Sequence, residues 1–189
     1  QGVKMISIID IVSNLKEKTT TLIFKRIFDL LVSFIMIFIL LPVIVILSIL
    51  IVIDSGFPVF FKQERIGKDG KTFIILKFRT MKNNTSTADG ITLHNDNRIT
   101  KVGKFLRKYR LDEIPQLFNI IKGEMSFVGP RPDLPKYYRI DDYGYQSVLL
   151  IRPGITSEAA SKFKDEDKIL SISENPEKTY KEKIFPQKV

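Results

Sequence analysis

The sequence predicts an α+β, mainly helical fold: an N-terminal re-entrant membrane helix hairpin, then a β-hairpin, then amphipathic interfacial helices around a small polar domain. Three observations predict it. An uncharged apolar run extends from Leu30 to Ile53, two β-branched and aromatic runs flank Gly67-Lys68-Asp69-Gly70, and apolar residues recur at helical spacing from Ile99 to Tyr109. A chain of 189 residues holds one domain with a membrane appendage. The expected division is an N-terminal segment over 1–24, a re-entrant membrane helix over 25–55 and a cytosolic and interfacial domain over 56–189.

The apolar run reads LLVSFIMIFILLPVIVILSILIVI, and Ser33 and Ser48 are its only polar side chains. About twenty such residues can cross a hydrocarbon core of about 30 Å as one helix, so a straight span is one reading. Pro42 favours another, because it removes a helical hydrogen bond and clashes with the preceding turn. Each half would be roughly 18 Å long, enough to reach the middle of the bilayer and return. Lys16, Lys18, Lys25 and Arg26 precede the run, and Lys62, Arg65, Lys68 and Lys71 follow it. Both flanks therefore look cytoplasmic by the positive-inside rule. A hairpin broken at Pro42, with both ends on one side, satisfies the proline and the charges together.

Thirty Lys and Arg against 21 Asp and Glu give a formal charge of +9, which suits an anionic partner: lipid headgroups, phosphates or nucleic acid. Charge alone does not choose among them. The absence of Cys excludes disulfides and thiolate metal sites. The single histidine, His94, lies in the polar stretch Thr92-Leu93-His94-Asn95-Asp96 and reads as a solvated surface residue.

Val59 to Arg65 and Thr72 to Arg79 read as the two strands of the β-hairpin. Asn83 to Asn97 is a polar loop. Ile99, Val102, Phe105, Leu106 and Tyr109 then form one face of a helix whose remaining surface carries Arg98, Lys101, Lys104, Arg107 and Lys108. Such a helix either packs on the core with a solvated charged face or lies in the headgroup layer. Asp112 to Ile121 reads as a short helix ended by Gly123. The remainder, through Gly129-Pro130-Arg131-Pro132 and Arg152-Pro153-Gly154, reads as loops with short helices.

The densest chemical signal is Arg110-Leu111-Asp112-Glu113-Ile114-Pro115-Gln116. An ionised Asp can attack phosphorus, and a neighbouring Glu can hold a divalent cation; the same pair is also an ordinary helix cap. Arg131, fixed between Pro130 and Pro132, presents a planar guanidinium that suits a phosphate, or else a surface ion pair. Lys77 and Arg79 close the second strand with two further candidate phosphate cations, of which at most one is expected at a given site.

These strings, with Lys25-Arg26 and Asp29 before the apolar run, Pro58-Val59, Phe61, Gln63 and Arg65 after it, Asn119, Gly123, Met125-Ser126 and Arg152-Pro153-Gly154-Ile155-Thr156, run in order from about Lys25 to Thr156. Together they resemble the bacterial sugar transferase family, in particular the small monotopic phosphoglycosyl transferases that begin surface glycan assembly. The resemblance implies a two-step displacement at the cytoplasmic face of the bacterial inner membrane. Asp112 is implied as the nucleophile toward a UDP-sugar, releasing UMP and forming a phosphosugar ester; polyprenol (undecaprenyl) phosphate then takes the group. It implies Mg²⁺ as cofactor, with Glu113 and Asp112 as its ligands, Arg131, Lys77 and Arg79 on substrate phosphates, and nucleotide contacts at Arg152, Pro153 and Gly154. The implied partners are the UDP-sugar, the lipid phosphate and a phospholipid membrane, with a homodimer allowed and no nucleic acid. The chain departs from the pattern at Leu41, where many members carry Ser before the membrane Pro, and at Ser157-Glu158-Ala159-Ala160 in place of Gly-Leu-Ala-Gln. Glu182 is the candidate for an acidic residue reaching the site from the tail, or else a solvated charge. The competing reading is a membrane-anchored basic scaffold or binding protein without catalysis.

Overall fold

A computed structural model describes residues 13, 16–82, 96–137, 143–157 and 179. The expectations for His94, Glu182 and 158–160 lie outside the described residues.

The apolar run forms α1 (Thr19–Ser55), 37 residues with Pro42 inside it, about 55 Å long at 1.5 Å per residue. The expected two-armed hairpin is corrected here: the helix is continuous through Pro42. A turn at that point would strip several backbone groups of their partners in a stretch that offers only two serine hydroxyls, whereas Pro42 within a helix forfeits one bond. Ser48 and Ser55 instead back-bond to Ile44 and Ile51 carbonyls, at 2.6 and 3.2 Å.

One stripe of α1 faces the rest of the molecule. Asp29, Ser33, Ile44, Leu47 and Ile51 are buried, and Ile37 and Leu40 pack beside them, so contacts recur every three or four residues. The other faces are bare: Phe38 is 80% and Ile53 78% exposed. Only 17% of the most apolar stretch is buried, the opposite of a core helix in a soluble domain.

After Gly56 the chain forms an antiparallel hairpin, β1 (Phe60–Ile66) and β2 (Thr72–Phe78), in the register Phe60↔Phe78 to Ile66↔Thr72. The turn between them is a 3₁₀ segment, Lys68–Gly70, with Asp69 and Gly70 at positive φ. The free edge of β2 is closed by a side chain. Asn119, fully buried, accepts from Leu76 N at 3.0 Å and donates to Ile74 O at 2.7 Å, standing in for a third strand.

Asn119 belongs to α3 (Gln116–Lys122), which Gly123 ends in the left-handed conformation at φ 89. Before it come α2 (Lys101–Lys108) and a 3₁₀ turn, Leu111–Glu113. The sequence expectation of one helix over 112–121 thus resolves into two pieces, because Pro115 starts a new helix and supplies no N–H to continue the old one. Thr100 caps α2 by accepting from Gly103 N at 2.9 Å. Gly103 lets α2 rest directly on the end of β2, since a Cβ there would lie 2.2 Å from Thr80 O.

Two adjoining clusters form the core. Ile44, Leu47 and Ile51 of α1 meet Phe78 and Leu106, with Val102, Leu111 and Ile114 alongside. Phe73, Ile75, Leu117, Ile120 and Met125 form the second, against Ile37, Leu40 and Ile114. Leu106 and Ile120 are fully buried, and truncating either to Ala would cost about 2–5 kcal/mol. The basic helix α2 therefore does pack on the core through Val102 and Leu106, while Phe105 and Tyr109 stay 50% and 56% exposed.

Beyond α3, Ser126–Val128 (β3) pairs in parallel with Gly154–Thr156 (β4), where loops were expected. A 3₁₀ turn, Pro135–Tyr137, and α4 (Tyr143–Val148) lie between them.

Candidate active site

The turn Leu111–Glu113 divides its side chains by polarity. Leu111 and the following Ile114 pack into the core formed with α1, which leaves Asp112 and Glu113 to the other side. The dyad is thus pinned from behind by the apolar helix. Lys77, at the end of β2, donates from Nζ to Glu113 Oε1 at 3.0 Å, with both side chains mostly buried. Asn119 locks α3 to β2 one residue from Lys77, so the ion pair joins two elements already held in register.

Electrostatics at this spot are tightly coupled. Burial raises the pKa of Asp112 above the usual carboxylate range and Glu113 adds to the rise, while the charges of Lys77 and Arg107 oppose it. Burial pushes Glu113 the same way, but Lys77, through its charge and its hydrogen bond, together with Arg131 and Arg110, holds it below its ordinary value. Burial lowers Lys77, and Arg131 lowers it further, against the pull of Glu113 and Asp112. The two members of the ion pair both shift down; its physical content is an ionised Glu113 held by a cation that is expensive to bury.

Arg131 is exposed, and its charge bears on both Lys77 and Glu113. Lys77, Asp112, Glu113 and Arg131, four of the residues singled out in the sequence, therefore come together. Arg79 does not join them. Only one of the two cations, Lys77, stands at the dyad: Arg79 N still bonds Val59 O at 2.8 Å, but its side chain turns to the C-terminal end of α1. There its Nη2 donates to Ser55 O and Ser55 Oγ, each at 2.9 Å, and to Gly56 O. At 6% exposure it is a buried clasp on the last turn of α1, where a cation complements the helix dipole.

Arg152, Pro153 and Gly154 lie behind the Arg131 loop. Arg152 Nε donates to Gly123 O at 2.8 Å, and Pro153 O accepts from Ser126 N at 2.9 Å. Gly154 N donates to Pro130 O at 2.8 Å, and Gly129 N to Thr156 O at 3.1 Å. A Cβ on Gly154 would fall 2.2 Å from Gly129 N. Two glycine backbones in contact thus set the course of the Gly129-Pro130-Arg131 loop.

One cation escaped sequence reasoning. Arg107, read there only as part of a charged helix face, bonds Thr80 Oγ1 through Nε at 2.9 Å and directs its charge toward Asp112. Between Arg107 and Asp112, Arg110 adopts the left-handed conformation at φ 54 and turns the chain. That conformation costs roughly 1–2 kcal/mol for a residue with a Cβ, and no Gly or Asn marks it in the sequence.

Among the described residues no three His, Cys, Asp or Glu side chains cluster to hold a metal by themselves. The Asp112–Glu113 pair does fit Mg²⁺, which takes one or two carboxylates along with substrate phosphate oxygens and waters. Burial and mutual repulsion at the pair are what a divalent cation would relieve.

A family model described as bacterial sugar transferase matches residues 20–183. The chain is 39% identical over 165 residues to a UDP-galactose-lipid carrier transferase of Erwinia amylovora, covering 77% of this chain and 34% of that protein. It is 40% identical over 144 residues to a UDP-glucose:undecaprenyl-phosphate glucose-1-phosphate transferase of Klebsiella pneumoniae, covering 73% of this chain and 30% of that one. An uncharacterized sugar transferase of Bacillus subtilis (strain 168) is 42% identical over 141 residues, covering 73% of this chain and 68% of its own length. The chain thus spans about a third of the Erwinia and Klebsiella proteins and about two thirds of the Bacillus one.

Proposed function

The chain belongs to the bacterial sugar transferase family, and on that premise we propose that it moves a phosphosugar from a UDP-sugar to polyprenol phosphate at a membrane surface. The observation that carries the reading is a half-buried aspartate beside a Lys-paired glutamate, on a turn whose apolar residues pack against an otherwise bare apolar helix. Relatives named for transfer of a sugar phosphate to undecaprenyl phosphate support the acceptor.

Asp112 is the nucleophile. Desolvation leaves its carboxylate poorly solvated and therefore reactive toward phosphorus. Its oxygen bonds to the sugar-bearing phosphorus while the bond from that phosphorus to the bridging oxygen breaks, and UMP departs with the bridging oxygen. A phosphate oxygen of the lipid then displaces the aspartate, giving polyprenyl diphosphate sugar and restoring the carboxylate. Arg131 and Lys77 hold the diphosphate oxygens, and Arg107 steadies charge at Asp112. Glu113, with Asp112, would hold Mg²⁺, which supplies neutralisation of diphosphate charge when bound.

The two ends of α1 support a membrane placement with both ends on one side. Near one end Arg26 donates to Ile121 O at 3.3 Å, and at the other Asp54 accepts from Val102 N at 3.1 Å while Arg79 holds Ser55. A helix grasped at both ends by one polar body keeps both ends on the cytoplasmic side. Its bare faces sink into one leaflet, and exposed Phe105 and Tyr109 on basic α2 reach the same interface. Soluble nucleotide sugar and lipid phosphate then meet at headgroup depth.

The test is UMP release by the purified chain supplied with Mg²⁺, a UDP-sugar and polyprenol phosphate. Asp112→Asn should abolish it, and donor without lipid should leave a phosphosugar adduct on Asp112 by mass spectrometry. Turnover of Asp112→Asn at the parent rate would remove the nucleophile from the scheme.

A further inference from the structure

The chemistry above makes no use of the carboxylate buried in α1. Asp29 is 3% exposed. It accepts from Ser126 Oγ at 2.7 Å, from Lys25 Nζ at 3.1 Å and from Phe127 N at 3.5 Å. Lys25 Nζ also donates to Ser126 Oγ. A charge in so apolar a helix is costly unless donors meet it, and two of its three donors come from β3.

β3 has need of such a hold. It has three residues and pairs with a partner of three; a two-stranded pair of that size is marginal by itself. Its bonds to Pro153 O, and those from Gly129 N and Gly154 N, all stay within the pair and its flanking loop. Met125, Phe127 and Ile155 pack this unit on the core, and Arg152 ties it to Gly123 O. Arg65 and Ile66 of β1 bond Pro132 O and Asp133 O just past Arg131. The Asp29 carboxylate adds a hold from α1 on the β3 side. Gly129-Pro130 carries the chain from β3 directly to Arg131.

We infer that Asp29 is a positioning residue: it transmits the seating of the membrane helix through Ser126 and Phe127 to the Arg131 loop. Arg65 and Ile66 hold the chain on the far side of Arg131, and Asp29 sets the near side, so undocking α1 loosens the place of Arg131 beside Lys77 and Glu113. The inference rests on the proposed role of Arg131 at the donor phosphates. It makes α1 part of the active-site scaffold as well as the anchor, with Arg79 gripping the far end of the same helix from β2, two residues beyond Lys77.

The experiment is a double-mutant cycle on the full chain in lipid nanodiscs, with amide hydrogen exchange measured on the same samples. Asp29→Ala should raise the donor KM about tenfold, with a smaller effect on kcat. In an Arg131→Ala background the same change should add nothing. Asp29→Asn keeps an acceptor oxygen for Ser126 and Phe127 and should restore most of the loss. Exchange at the Phe127 and Gly129 amides should quicken in Asp29→Ala, while the Leu76 amide, held by Asn119, stays protected. Additive effects of Asp29→Ala and Arg131→Ala, or unchanged exchange at Phe127 and Gly129, overturn the inference. If Asp29→Ala does not fold, Ser126→Ala is scored by the same criteria. A parent protein that releases no UMP sinks the proposed reaction, and the exchange data still judge Asp29.

Discussion

Lys77 Nζ bonds Glu113 Oε1 at 3.0 Å across 36 residues of chain, tying the end of β2 to the turn that bears Asp112. Burial pushes both carboxyl groups up, and Lys77 opposes it at each: Glu113 ends below its ordinary value, while Asp112 stays above.

Lys77→Met should therefore let both carboxyl groups titrate at higher pH. The acid limb of kcat/KM moves upward in pH, and the plateau drops about 10²-fold from loss of a phosphate cation. A pH–rate profile of UMP release checks both; an unmoved acid limb would show that another group governs the ionisation of Asp112.

Asp112→Asn should lose turnover yet melt higher. A carboxyl whose folded pKa is raised binds more protons folded than unfolded, so stability falls as pH rises through the interval between the two values. Removing it should stabilise the protein by about 1 kcal/mol at neutral pH. The gap should close as pH drops into the usual carboxylate range. Glu113 has the opposite sign: its contribution is present above its unfolded pKa and is lost as pH falls through the lower, folded one. Thermal melts of parent and Asp112→Asn across pH separate the two.

Arg79→Met should act on stability and not on donor binding. It strips Ser55 O, Ser55 Oγ and Gly56 O of their shared donor at the end of α1, a loss of about 3 kcal/mol. Denaturant unfolding in mild detergent measures that. A large rise in donor KM with unchanged stability would return Arg79 to the substrate.

Both ends of α1 should face the same compartment. The chain has no Cys, so Lys18→Cys and Lys62→Cys each present one thiol at an exposed position. Impermeant maleimide should label neither in intact cells and both after the inner membrane is opened. Labelling of one alone in intact cells would establish a transmembrane span.

What could be read from the chain and what could not divide along the range of the forces involved. The apolar run, the hairpin and the helix over Lys101–Lys108 follow from local periodicity, and Lys77, Asp112 and Glu113 stood out because their neighbours dictate the chemistry of short motifs. The hairpin break at Pro42 was a local inference that failed, since the cost of one lost bond is smaller than that of several unmet backbone groups in an apolar stretch. Which of Lys77 and Arg79 stands by the dyad lay beyond local rules as well, because the carbonyls that draw Arg79 away belong to the end of α1.

The sequence by itself determined the long apolar helix, the basic charge and the adjacent carboxylates Asp112 and Glu113, because hydropathy, charge and turn chemistry act within a few residues. Only the tertiary structure decided that Arg107 bonds Thr80, that Asn119 closes the edge of β2, and that Asp29 holds β3. Each of those depends on groups brought together by core packing, and a short parallel pair such as Ser126–Val128 with Gly154–Thr156 leaves no periodic trace from which to foresee it.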